Sequence, residues 1–204
     1  MLFRSEETAA AVLAELDERL TTQIVEKLDP EKAADILEEM APDAAADLLG
    51  DLSKETSEEL LHEMPGQEAN EVRELLEFDP ATAGGMMNTE FIFVGESSRR
   101  EEVLEWMREQ EFNLDQLDTI VLLDSSAQFS GAVPVARLLL AASDQRMAEL
   151  KMDPLLSLPP NANDKEVFEL FDKYNLRMLT VVDQENRPIG VITVDDVVSK
   201  LLKD

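Results

Sequence analysis

Asp43, Asp47 and Asp51 stand four apart, a spacing that lines three carboxylates along one face of any helix carrying them. Like charges so placed repel by about 0.2–0.5 kcal/mol per pair. A divalent cation would relieve them; the alternative is a solvated acidic face that needs no ligand. Thr193, Asp195 and Asp196 make a second polar group. The Thr193 hydroxyl reads as the N-cap of a helix from Val194 to Leu202, with both aspartates at the positive end of its dipole. Being adjacent, those aspartates point in different directions and make a poor general acid–base pair. His62 is the single histidine, which excludes a multi-histidine metal centre, and His62-Glu63-Met64-Pro65 lacks the second histidine of a zinc-protease helix. There is no Walker loop, no Gly-x-Gly-x-x-Gly after a strand and no serine in a nucleophile elbow. With no cysteine there is neither thiol nucleophile, thiolate metal site nor disulfide, in agreement with a reducing compartment. These residues point to no enzyme.

Charge narrows the partners. The 204 residues carry 45 acidic and 18 basic side chains, a formal net charge of −27. Residues 1–80 hold 23 acids against 6 bases, and residues 81–204 hold 22 against 12. Counterion release cannot drive such a surface onto nucleic acid, and an anionic membrane would repel it. Cations are its natural small partner. No apolar run approaches the ~20 residues of a bilayer-spanning helix, so the expectation is a soluble chain without membrane insertion.

The elements that must position these carboxylates follow from periodicity. An apolar residue recurs every twelve positions as Leu16, Leu28, Met40, Leu52, Met64 and Leu76, with Ile24-Val25, Ile36-Leu37, Leu48-Leu49, Leu60-Leu61 and Val72 between them. Twelve residues make about two helical turns and a corner. Asp29-Pro30, Ala41-Pro42 and Ser53-Lys54-Glu55 supply the corners. Helices this short are unstable alone, so they must stack into a solenoid with a shared core. The joint is Asp79-Pro80-Ala81-Thr82-Ala83-Gly84-Gly85-Met86-Met87, where proline stops a helix and the glycines tolerate dihedrals that other residues avoid.

Beyond the joint a strand–helix pattern occurs twice. Phe91 to Val94, a helix from Arg100 to Glu111, strand Thr119 to Asp124, return strand Gly131 to Val133 and helix Ala136 to Ala142 are echoed about 60 residues on. The echo comprises Met152 to Leu158, helix Asp164 to Tyr174, strand Leu179 to Asp183, strand Pro188 to Ile192 and helix Val194 to Leu202. Neither copy can close a core alone, so the two must pair. Trp106 is most simply core or interface.

Val181-Val182-Asp183 before the turn and Gly190-Val191-Ile192-Thr193-Val194-Asp195-Asp196 after it resemble a CBS domain, and the tandem resembles a CBS pair, a module that often senses adenine nucleotides. The twelve-residue repeat running into the Ala83-Gly84-Gly85-Met86 joint resembles the N domain and joint of the MgtE family of magnesium channels. The resemblance covers essentially the whole chain but only the cytosolic part of that family, without its transmembrane pore and with a helical domain shortened at its start. It implies an α plus α/β fold: an all-α superhelical solenoid over 1–80, then CBS domains over 81–146 and 147–204.

The resemblance also implies a cytosolic magnesium-sensing regulatory module, in which Mg2+ bridges acidic faces and favours a compact, pore-closed state. Asp43, Asp47 and Asp196 match acidic positions that would meet the metal. Thr193 and Asp196 match the hydroxyl and carboxylate of a CBS nucleotide site, whereas the first copy has Pro134 and Arg137 there, and Leu176 and Thr119 stand where aromatic rings would hold adenine. Asn163, Lys165, Asn175 and Ser199 replace acids of the family pattern, with Asp164 and Asp172 nearby. A homodimer through the CBS pair, and a pore domain outside this chain at the cytosolic face of the inner membrane, are the implied partners. A stand-alone adenine-nucleotide sensor and a helical scaffold are the alternatives.

Overall fold

The computed structural model describes residues 3–14, 16–110 and 117–203. They form two compact units, Met1–Pro80 and Ala81–Asp204. In the first unit the helices are α1 (Phe3–Ala14), α2 (Glu18–Val25), α3 (Pro30–Glu38), α4 (Pro42–Asp51), α5 (Lys54–Glu63) and α6 (Gly66–Leu76). Pro30 and Pro42 open α3 and α4, where the missing N–H removes no helical bond and the fixed φ suits the first turn. The Asp17 carboxylate accepts from the Arg19 N–H at 3.1 Å and the Ser53 hydroxyl from the Thr56 N–H at 3.2 Å. None of the six could persist alone. Stability comes from alternation: α1, α3 and α5 stack in one layer and α2, α4 and α6 in the other, burying Leu37, Ala45, Leu49, Leu60 and Val72.

The twelve-residue step marks the corners rather than the helix interiors. Leu52 and Met64 are the C-cap residues of α4 and α5 and are buried. Leu28 and Met40, in the preceding corners, are half-buried. Leu16 departs from this and stays exposed with Val12, Leu20 and Ile24, because among the described residues the first turn has a layer on one side only.

The second unit contains α7 (Ala83–Met86), β1 (Phe93–Gly95), α8 (Arg100–Arg108), β2 (Thr119–Leu123), β3 (Phe129–Pro134) and α9 (Val135–Leu140). A 3-10 helix (Met147–Leu150) leads to β4 (Ser157–Leu158), α10 (Asp164–Tyr174), β5 (Met178–Val182), β6 (Pro188–Thr193) and α11 (Val194–Lys203). Two sheets result, ordered β1-β2-β3 and β4-β5-β6, each with a parallel first pair and an antiparallel second. Alternation along β2 assigns its two faces. Ile120 and Leu122 join Val133, Val103, Leu138, Met147 and Leu150 in the core of the first repeat. Val121 points the other way and, with Phe129, packs against Met178, Val182 and Val191 of the second. The repeats therefore close a common core, as two half-covered sheets require.

Several local expectations change. No glycine takes a positive φ; Gly84 and Gly85 lie in α7, and the chain is redirected by bonds from the Ala83 and Gly84 N–H groups to the carbonyls of Ala162 and Pro160, both 2.8 Å. The first strand of each repeat is shorter than its apolar run. Helix α8 stops at Arg108, and Glu111 lies outside the described residues. Trp106 is 38% exposed and so is not a core residue.

The leading segments of the repeats cross over. Asn88, ahead of β1, exchanges two backbone bonds with Val191 of β6, at 2.8 and 2.9 Å, while the Met152 N–H, ahead of β4, donates to the Ala132 carbonyl of β3 at 2.9 Å. Met87 lies over Gly190 and the Lys151 stem over Gly131. A Cβ at Gly190 would meet Met87 Sδ at 2.7 Å and the Asn88 carbonyl oxygen at 3.0 Å, whereas one at Gly131 would meet only Lys151 side-chain atoms. Gly190→Ala should therefore cost about 1–3 kcal/mol and Gly131→Ala less, since a lysine stem can swing aside and a backbone carbonyl cannot. Urea denaturation followed by Trp106 fluorescence checks this; equal midpoints for the two variants would show that the close approach is immaterial.

Candidate functional site

Asp43 sits in the first turn of α4, and Asp47 follows one turn later. The side without a capping side chain at Ala41 gains from a carboxylate there, because the N-terminal N–H groups carry partial positive charge. Asp43 is half-buried and Asp47 exposed. Asp51 ends the helix and lines an open groove with Asp17, Arg19, Thr22 and Gln23, so a protein cation already shares its surroundings. Among the described residues no three acids or histidines converge as a metal cage. The carboxylate pair fits an octahedral, largely hydrated ion held by one or two protein oxygens, and does not fit a dehydrated ion enclosed by protein.

Acid crowding is felt elsewhere in the helical unit. Glu38, in the last turn of α3, has its carboxyl pushed above the usual range, first by burial and then by the charges of Glu68, Glu39 and Asp35. Glu68 belongs to α6, so this repulsion crosses between helices of one layered stack. Sequence spacing along single helices could not reveal it.

Thr193 and Asp196 are brought together at the start of α11. The Thr193 N–H and hydroxyl both donate to Asp196 Oδ2, at 2.6 and 2.8 Å, and the Asp196 N–H donates to Thr193 Oγ1 at 3.5 Å. This is a reciprocal capping arrangement, and any ligand of these two groups competes with it. Asp195 is exposed. In the first repeat, Arg137 stands at the position of Asp196 and donates to the carbonyls of Leu150 and Lys151, so the charge at that position is reversed.

Asn163 and Asn175 have local duties. Asn163 caps α10 in a capping box with Glu166, and Asn175 ends that helix with φ 49°, a left-handed conformation that asparagine adopts more readily than most residues. Asp164 is half-buried and Asp172 exposed; His62, Lys165 and Ser199 are exposed. Sequence reading missed the ion pair of Lys151 with Glu96, Nζ to Oε2 2.5 Å, which only the register of the two repeats makes visible.

Known proteins resemble this arrangement. The family model described as the MgtE intracellular N domain matches residues 2–81, and the CBS domain model matches residues 147–203. The magnesium transporter MgtE of Thermus thermophilus is 30% identical over 131 residues, covering 64% of this chain and 29% of that protein. Its namesake in Enterococcus faecalis is 26% identical over 132 residues, covering 65% and 29%. The chain thus spans under a third of the length of these relatives. A crystal structure of the cytosolic domain of the Mg2+ channel MgtE in complex with ATP superposes with a TM-score of 0.85 at 28% identity, over 96% of this chain and 80% of that one. The soluble part of a magnesium transporter shares the fold at TM-score 0.90 and 23% identity, over 99% and 80%. Among the described residues no helix is long and apolar enough to cross a membrane.

If the Thr193 hydroxyl serves as a cap, Thr193→Ala lowers the stability of the ligand-free protein by about 0.5–2 kcal/mol and Thr193→Ser restores most of it. Thermal melts of the two variants check this, and an Ala variant as stable as the wild type would remove the capping role.

Proposed function

Because the chain carries the N domain and the CBS region of the MgtE family, we propose that it is a cytosolic magnesium-sensing regulatory module that acts on a transmembrane pore. The helical domain occupies 1–80 and the CBS domains 81–146 and 147–204 in this reading. Mg2+ screens and bridges acidic faces, with Asp43, Asp47 and Asp196 among the carboxylates that meet it, and so favours a compact, pore-closed state. The observation that carries the reading is the excess of acid: a net charge of −27, with the Glu38 carboxyl raised above its usual range by burial and then by the charges of Glu68, Glu39 and Asp35. A hard cation that keeps most of its water suits such surfaces and binds them weakly, as a gauge of an abundant ion must. Self-association through the CBS pair would cover Leu139 and Leu140 of α9 and Val198, Leu201 and Leu202 of α11, all exposed.

A second reading, adenine-nucleotide sensing, is favoured by the ATP in the superposed MgtE cytosolic domain. Here it falls to the second repeat, where Thr193 and Asp196 are the candidate phosphate and ribose contacts; Pro134 and Arg137 offer neither.

Small-angle scattering during a magnesium titration at fixed ionic strength tests the first reading. The expected result is a saturable compaction that monovalent salt does not reproduce, with Asp43→Asn/Asp47→Asn raising its midpoint roughly tenfold, equivalent to about 1.4 kcal/mol. A radius indifferent to Mg2+ sinks it. Nucleotide sensing is tested at constant Mg2+: ATP should raise the melting temperature by mass action, and Asp196→Asn should abolish the rise while an unresponsive wild type would discard this second reading.

A further inference from the structure

The two repeats clasp each other's leading segments through equivalent backbone contacts but unlike side chains. Phe93 opposite Val121 and Ser157 opposite Thr180 fix the equivalence. Under it Met87 corresponds to Lys151, Gly190 to Gly131, Pro160 to Glu96 and Asp196 to Arg137. Over Gly190 the clasp is apolar: Met87 packs on the glycine and Asn88 makes both backbone bonds to Val191. Over Gly131 it is ionic. The Lys151 stem packs on the glycine, its ammonium reaches Glu96 Oε2 at 2.5 Å, and only the Met152 N–H bonds to β3.

The ionic clasp therefore has one backbone bond where its twin has two, and a charge pair where its twin has a thioether. Arg137 adds to it by donating to the carbonyls of Leu150 and Lys151. The paired side chains are 27% and 33% exposed, sheltered enough to hold a geometry yet open to screening by salt. The groups facing the Glu96 carboxyl are Lys151, the Ser130 hydroxyl on β3, and Asp124 just after β2. The hydrogen bond from Lys151 does most to hold that carboxyl below its usual range, while Asp124 opposes it.

We propose that Glu96 and Lys151 form an electrostatic latch that clasps the leading segment of the second repeat onto the sheet of the first. Loss of either charge frees Met152 from β3, while the Met87 clasp on the second repeat stays shut. The coupling between repeats is thus conditional on one side only, and it depends on neither metal nor nucleotide. Because the folded carboxyl is the stronger acid, the latch is fully present above the ordinary carboxylate value of 4.5 and is lost as pH falls through the lowered folded value.

Amide hydrogen exchange on the full chain at neutral pH provides the test, with the Asn88 N–H as an internal control for the Met152 N–H. In Glu96→Gln and in Lys151→Met, Met152 should exchange about tenfold faster or more, with Asn88 unchanged. Lys151→Met is the sharper variant, since a methionine stem over Gly131 reproduces the packing of Met87 over Gly190 and removes only the charge. A wild-type rate at Met152 in that variant overturns the latch. Equal acceleration at both amides overturns it too, because it would mark general loosening. If Glu96→Gln does not fold, Lys151→Met decides alone.

Discussion

Every regular element in this chain is too short to be stable by itself, and that constraint shapes both units. A helix of eight to twelve residues gains too little from its own hydrogen bonds to offset nucleation, and a three-stranded sheet covered on one face leaves the other exposed. In the helical unit the solution is translation: each helix covers the one two places along, and the corners are plugged by Leu52 and Met64. In the other unit it is pairing, in which Val121 and Phe129 of one sheet meet Met178, Val182 and Val191 of its twin. Burial between elements supplies the driving force in both cases.

Electrostatics works against that cohesion. A net charge of −27 favours solubility but strains any compact state through self-repulsion. The fold uses some of its acids where a partial positive charge awaits them: Asp43 in the first turn of α4, Glu166 reaching back to the Asn163 N–H, and Asp196 accepting from the Thr193 N–H. Others have no such outlet. Glu38 lies near the negative end of α3 with Glu68 approaching from α6, and its carboxyl is raised above the usual range by burial and by these charges. Repulsion thus persists where the acids exceed the helix starts and basic partners near them.

The sequence was most legible where periodicity carried the signal. The twelve-residue step and the strand–helix echo located the solenoid and the two repeats, because both are set by which residues must be buried. Chain limits were less so. Phe91 and Ile92 read as strand but precede β1, although the Ile92 carbonyl still accepts from the Val121 N–H of β2 at 2.9 Å. Gly84-Gly85 suggested unusual dihedrals, yet the turn there is made by backbone bonds to Ala162 and Pro160. At the candidate sites, the Thr193–Asp196 arrangement was readable from spacing, because a cap is local. The Glu38–Glu68 and Glu96–Lys151 relations were not, because each joins elements whose neighbourhood only the fold decides.

Duplication explains why the last of these was hidden and why it matters. In a perfect duplicate the two clasps would be equal, and any change at one would be matched at the other. Here the thioether of Met87 is replaced by an ammonium at Lys151, the proline at 160 by a carboxylate at Glu96, and the carboxylate of Asp196 by a guanidinium at Arg137. The first two replacements add a charge to the same side of the pair and the third reverses one. Isolated, a lysine over Gly131 would be a poor substitute for methionine, and a glutamate at 96 would add one more anion to an acidic chain. Together they neutralise each other at a crossing point of the two repeats. The asymmetry is therefore a coordinated set of changes, and it divides the labour of the repeats: the first carries the charge-dependent contact, while the clasp on the second is apolar.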